Sequence, residues 1–219
     1  MTTLIAVAHG TRSAGGRRQL QELAASVARR RPGLDVRLCY VDVQEPKVAD
    51  VVPTVTDAVV VPLLLSCGYH VRVDIAEAVA GTSIPVTAPL GPDPLLLASL
   101  RRNLPEADAV VLAAAGSSDP GWRADVAGVA AQLPGGARVG YVSGTGPRVP
   151  DVVAQLRSEG AQRVAIATYL LADGLFYRSL SDAGADSVTP PLCRDAGVAD
   201  LVLSRYDRAR SLTTAGRRL

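Results

Sequence analysis

The sequence predicts an α/β protein of two similar lobes, each a parallel sheet flanked by helices, on three observations. Apolar runs with no polar alternation, such as TLIAVA (3–8) and AVVVPLLLS (58–66), read as strands buried on both faces. Stretches with helical apolar spacing follow them, so strand and helix alternate as in a parallel sheet covered on both sides. The pattern then restarts: Gly10 and Gly116 lie 106 residues apart, as do Gly68 and Gly174, which marks an internal duplication.

The elements follow in order. After the first strand, residues 17–33 place Leu20, Leu23, Ala24 and Val27 on one helical stripe that Pro32 and Gly33 stop. DVRLCYVDV (35–43) is expected as a strand, EPKVADVV (45–52) as a short helix opening after Pro46, and 58–66 as the third strand. A helix over 71–80, a strand over PVTAP (85–89) and a helix over 93–104 complete the first lobe, 1–105. DAVVLAAAGSSDPGW from Asp108 and VAIATYLLADGLFYRSL from Val164 repeat the first and third strands, giving a second lobe, 106–219. The polar, basic stretch from Ser204 onward is expected as a helix end and a frayed tail.

Composition excludes several classes. An apolar fraction of 48% argues against disorder, and a net charge of +2 is too mild to call for nucleic acid. Arginine supplies every basic residue but Lys47, and its fork suits carboxylates and phosphates. Cys39, Cys67 and Cys193 are odd in number and form no C-x-x-C pair, which speaks against a disulfide frame or structural zinc and fits a reducing cytoplasm. No basic leader precedes the first apolar run, and no run approaches the roughly 20 residues of a membrane span, so neither export nor a membrane partner is expected. Glycines in SGTGPRVPD (143–151) form a turn, but no phosphate-loop or dinucleotide fingerprint exists, so no nucleotide is expected.

Both histidines of the chain follow apolar runs of the first lobe. In an open parallel sheet, ligands bind beyond the carboxyl ends of the strands. His9 ends the first strand, His70 follows the third, and the strand between them ends in YVDVQEP with Asp42 and Glu45. Two imidazoles and one or two carboxylates on one rim suit a divalent first-row metal or acid/base work. The duplicate acts as a control, since Ala115 and Phe176 stand where His9 and His70 would be, so the fold does not need the histidines. Asp42, expected at an apolar strand end where a lone carboxylate is costly, is the favoured partner; Glu45 reads equally as a first-turn helix acid. Cys67 is read as a small core residue outside the site.

At these residues the chain resembles the sirohydrochlorin chelatases, the class II tetrapyrrole chelatases, in their long two-lobed form. LIAVAHGTR, YVDVQEP and VVVPLLLSCGYHVRVDI are similar to that family's three signature segments, in order. The resemblance implies a cleft between similar halves and ATP-independent insertion of Fe2+ or Co2+ into sirohydrochlorin, in siroheme or cobalamin biosynthesis. It implies metal binding by His9 and His70, assisted by Asp42 or Glu45. The substrate's ring of carboxylates nominates Arg12, Arg72 and the repeat's counterpart Arg178 as clamps. Leu175, Phe176 and Tyr177 either stack on the macrocycle or belong to the core. With both lobes on one chain, a monomer completes the cleft. A non-catalytic metal or tetrapyrrole carrier is the alternative reading, and a metal-dependent hydrolase would need ligands that a chain with two histidines lacks.

Overall fold

The structure is a computed structural model that describes residues 2–66 and 68–216, of which 69–72 and 213–216 are described as backbone only. The chain begins with β1 (Thr3–Ala8), every residue of it buried, and α1 (Ala14–Arg30). The Ser13 hydroxyl caps α1 by accepting from the Gly16 N–H, and Leu20, Leu23 and Val27 form its buried stripe. Next come β2 (Asp35–Tyr40), α2 (Val48–Val51), β3 (Ala58–Pro62) and α3 (Tyr69–Val79). The strands lie in the parallel order β2-β1-β3. Ile5, Val7, Cys39 and Val60 point to one face, where Val48, Val51 and Ile75 of α2 and α3 cover them.

The expected strand over 85–89 reduces to a single bridge between Val86 and Val60. Val60 N–H donates to the Pro85 carbonyl at 2.9 Å and its own carbonyl accepts from Thr87 at 2.9 Å. Prolines at 85 and 89 remove the donors that a longer ladder would require.

The chain continues through α4 (Pro94–Asn103), β4 (Ala109–Ala114), α5 (Pro120–Ala131), β5 (Arg138–Tyr141), α6 (Val149–Ser158), β6 (Val164–Tyr169), the one-turn α7 (Leu175–Arg178) and the short β7 (Ser187–Val188). These strands form the order β5-β4-β6-β7, again parallel. Val111, Ala113 and Ile166 pack against Val149, Val152, Val153 and Leu156 of α6, the same arrangement as in the first sheet.

A last helix, α8 (Gly197–Gly216), does not stay with the second sheet. The chain divides into one unit of residues 1–90 with 196–219 and another of residues 91–195. The sequence repeat, expected to divide at 105, therefore differs from the packing: α4 belongs to the second unit and α8 to the first. The stretch expected as a frayed tail is the docking face of α8. Asp207 takes both guanidinium nitrogens of Arg31 at 3.0 and 2.8 Å, Arg210 meets Asp57 at 2.6 Å, and Arg205 donates to the Pro89 and Leu90 carbonyls at 3.0 and 3.1 Å.

The duplication is legible atom by atom. Helix α5 has 12 residues where α1 has 17, so the equivalence shifts from 106 to 101 at the second strand and returns to 106 at the third. In that shifted register Tyr141 matches Tyr40, Ser143 matches Asp42, and Gly144 matches Val43. Both members of the last pair are left-handed, with φ of 75° at Gly144 and 66° at Val43. Glycine adopts that conformation freely; a β-branched residue there is strained by about 1–3 kcal/mol.

Carboxylates clip the start of β6. Asp108 accepts from the Gln162 and Arg163 N–H groups at 3.0 and 2.7 Å, and Asp186 from Val164 N–H at 2.7 Å. These backbone donors, followed by the opposing desolvation and then by the charges of Arg163 and Arg157, hold both carboxyls below the usual carboxylate range.

Two predictions follow from this geometry. Val43→Gly relieves the strain at the cost of a more flexible unfolded chain, and should raise stability by about 1 kcal/mol in urea denaturation. Because the folded pKa of Asp108 and Asp186 lies below the unfolded value of about 3.9, their contribution is present above that pH and disappears as pH falls through the folded pKa. Thermal midpoints should thus drop on acidification below about pH 4, and less steeply in Asp108→Asn/Asp186→Asn, whose neutral-pH midpoint is already lower.

Candidate metal site

Two backbone bonds carry the β1–β2 pairing past the ends of the strands. Val41 N–H donates to the Ala8 carbonyl and Asp42 N–H to the His9 carbonyl, both at 3.0 Å. Between these residues the chains touch: a Cβ on Gly10 would lie 2.1 Å from the Asp42 carbonyl oxygen, and Gly10 has a φ of 102°. Only glycine fits both demands. His9 and Asp42 are consequently backbone partners one step beyond the sheet, on the rim where parallel sheets bind ligands.

Asp42 is not the buried strand-end carboxylate expected from the sequence. β2 stops at Tyr40, and the Asp42 side chain is 71% exposed, so no burial cost has to be met. Its Oδ1 accepts from Val43 N–H at 2.7 Å and lies 3.8 Å from Lys47 Nζ. The Val43 N–H first, against some desolvation, and then the neighbouring Lys47, His9 and Arg12 hold this carboxyl below the usual range. Glu45 is exposed, and the first-turn acid of α2 is Asp50, whose carboxylate accepts from Lys47 N–H at 3.2 Å.

His70 lies in the first turn of α3, after β3, which is hydrogen-bonded to β1. The His70 and Arg72 side chains, and Cys67 altogether, fall outside the described residues. Arg12 is exposed on the loop between β1 and α1. Among the described residues no three His, Cys, Asp or Glu side chains converge, and His9 and Asp42 are the imidazole and carboxylate that lie close enough to interact. Cys39, buried within β2, has its thiol pushed up to about 12 by desolvation and is chemically quiet.

Sequence reasoning missed two residues here. Gln44 Oε1 accepts from Thr11 N–H at 2.7 Å, joining the loop after β1 to the loop after β2. Lys47 Nζ sets a positive charge 3.8 Å from Asp42 Oδ1. The signal for Gln44 was hidden by the five-residue shift in repeat register, which places it opposite Thr145.

The second unit keeps the scaffold without the chemistry. Gly116, with φ of 104°, touches the Ser143 carbonyl oxygen as Gly10 touches that of Asp42. Ser143 N–H donates to Ala115 at 2.8 Å, and a serine hydroxyl replaces the carboxylate. Arg178 bonds Asp173 at 3.0 Å through Nε; Leu175 and Phe176 are 78% and 39% exposed, and Tyr177 packs on the core. No helix among the described residues is long and apolar enough to cross a membrane.

Comparison with curated protein sequences gives no match. Among solved structures, the chain is similar to SirB from Bacillus subtilis with Fe3+, with a TM-score of 0.74 and 21% identity over 93% of both chains. SirB from Bacillus subtilis subspecies spizizenii in complex with cobalt has a TM-score of 0.74 and 20% identity over 94% of both. CbiX, described as the terminal enzyme for biosynthesis of siroheme in denitrifying bacteria, has a TM-score of 0.67 and 22% identity over 94% of this chain and 99% of that one. At such identities the likeness is one of fold. The CbiX family model matches twice, over residues 3–107 and again over 109–209, one match to each sequence repeat. With nearly its whole length accounted for in this way, and the three motifs of the first repeat in place, the chain belongs to the CbiX family.

Proposed function

We propose that this protein inserts a divalent metal ion, Fe2+ or Co2+, into sirohydrochlorin without a nucleotide. The observation that carries this reading is the asymmetry of the duplicate. Both histidines follow strands of the first repeat, whereas Ala115 and Phe176 occupy the same places in the second. A rim kept twice but armed once is what a single metal-transfer centre requires. The similar SirB structures with Fe3+ and cobalt, and the CbiX structure linked to siroheme, support the substrate class.

Metal insertion demands that the incoming ion shed water and that two pyrrole N–H protons leave. His9 and His70 are assigned to hold the ion through neutral imidazole, strongly enough to capture it and weakly enough to release it. Their donor type serves Fe2+ and Co2+ alike, so supply decides between them. Asp42 is ionised and exposed, suited to attract the cation and order its waters. As the ion passes to the macrocycle, each imidazole nitrogen that held it is freed and can take up one of the two pyrrole protons in its place. Glu45 is a second exposed carboxylate on the same loop. Arg12, Arg72 and Arg178 are assigned to the substrate's carboxylates; for Arg178 this means exchanging Asp173 for a substrate oxygen.

The test is the visible spectrum of metal-free sirohydrochlorin incubated anaerobically with the protein and Co2+ or Fe2+. Many turnovers per chain are expected, and His9→Ala or His70→Ala should each lower kcat by at least about a hundredfold while the protein stays folded by circular dichroism. One spectral shift per chain followed by arrest would assign a carrier instead. Asp42→Asn should raise the KM for metal by about tenfold and leave the KM for sirohydrochlorin alone.

A further inference from the structure

Arg123 in α5 braces the second unit's rim. Its Nε donates to the Ser117 carbonyl at 2.7 Å, and an Nη donates to the carbonyl and hydroxyl of Thr145 at 2.6 and 3.0 Å. The guanidinium also sits 5.5 Å from the centre of the Tyr141 ring, which Trp122 flanks at 6.0 Å. One arginine thus ties together the loops after β4 and β5.

Its counterpart in the first repeat is Arg17, in the first turns of α1. There the same two loops are joined without it, by the bond from Thr11 N–H to the Gln44 side chain. Arg17 is exposed, and among the described residues its guanidinium makes no hydrogen bond or ion pair. α1 opens directly after the loop that carries His9 and Arg12, so Arg17 lies beside the same rim. The neighbouring residues differ in the same sense. Residues 9–18 hold three arginines and no acid, whereas residues 115–124 hold one arginine and one aspartate, with Ser118 for Arg12 and Asp119 for Ser13. Repulsion among these arginines, with no acid in the first turn of α1, gains the fold nothing.

We infer that Arg17 is a substrate-binding residue whose guanidinium takes a peripheral carboxylate of sirohydrochlorin beside the metal site. This rests on the function proposed above. An arginine that is structural in one repeat has been released in the other by Gln44, on the rim that bears His9. A planar fork next to Arg12 matches a carboxylate better than an ammonium does, and a macrocycle fringed with carboxylates presents several.

The experiment uses the full chain with two readouts: steady-state cobalt insertion at varied sirohydrochlorin, and equilibrium titration of metal-free sirohydrochlorin by fluorescence quenching. Arg17→Gln should raise both KM and Kd for sirohydrochlorin by about tenfold, leave kcat and the KM for Co2+ within about twofold, and leave Tm unlowered. Arg17→Lys should recover part of the loss. Arg123→Gln should do the reverse, lowering Tm while the Kd stays within about twofold. Unchanged KM and Kd in Arg17→Gln, with wild type turning over, would overturn the assignment of Arg17 alone. A lowered Tm with lost kcat would make Arg17 a brace like Arg123 and overturn it equally. Wild type that neither binds nor metallates sirohydrochlorin would overturn the functional reading and the assignment with it.

Discussion

The close crossing of Gly10 over the Asp42 carbonyl is the constraint on which the candidate site depends. It lets the ladder run two bonds beyond β1 and β2, and so fixes where His9 and Asp42 leave the sheet. A Cβ at that point would push the two loops apart, and with them the imidazole from the carboxylate. The strain at Val43 belongs to the same turn: its N–H is the one that holds Asp42 Oδ1, which binds the carboxylate's orientation to a backbone conformation valine adopts reluctantly. Charge, direction and backbone are set together around Asp42.

The second unit separates scaffold from chemistry. The glycine contact, the two ladder extensions and the bridge from the second strand to the following helix recur at Gly116, Val142, Ser143 and the Tyr141–Arg148 pair. What does not recur are the three groups assigned to the cation: Ala115, Phe176 and Ser143 replace His9, His70 and Asp42. Where the ligands are gone, Arg123 and the Trp122–Tyr141 pair fill and tie the rim.

Much of this was legible in the sequence because it is local. The continuous apolar runs of β1 and β3 and the stripe Leu20, Leu23, Val27 report burial directly, and both histidines follow such runs. The misreadings share a cause. Val41 and Val43 extend the apolar alternation of β2, but Gly10 and the loop geometry turn the chain at Tyr40, a tertiary effect with no local mark. Arg205, Asp207 and Arg210 look like solvent residues, yet their partners are Pro89, Leu90, Arg31 and Asp57, far away in the chain. Pattern reports which positions are buried; it is silent on which distant group neutralises a charge. Gln44 is the same case, a polar loop residue whose role exists only once Thr11 is beside it.

The placement of α8 has a bearing on how the chain is made. The second unit is one unbroken run, residues 91–195, while the first is finished only by residues from 196 onward. On the ribosome, the first sheet emerges early but waits for Val198, Ala199 and Val202 of α8, all buried in the finished protein, to arrive. All residues of the second unit are therefore made before the last residues of the first. The half that carries both histidines is the last to receive all of its buried residues, and a chain ending before residue 196 would have the rim loops without the helix that packs on their sheet.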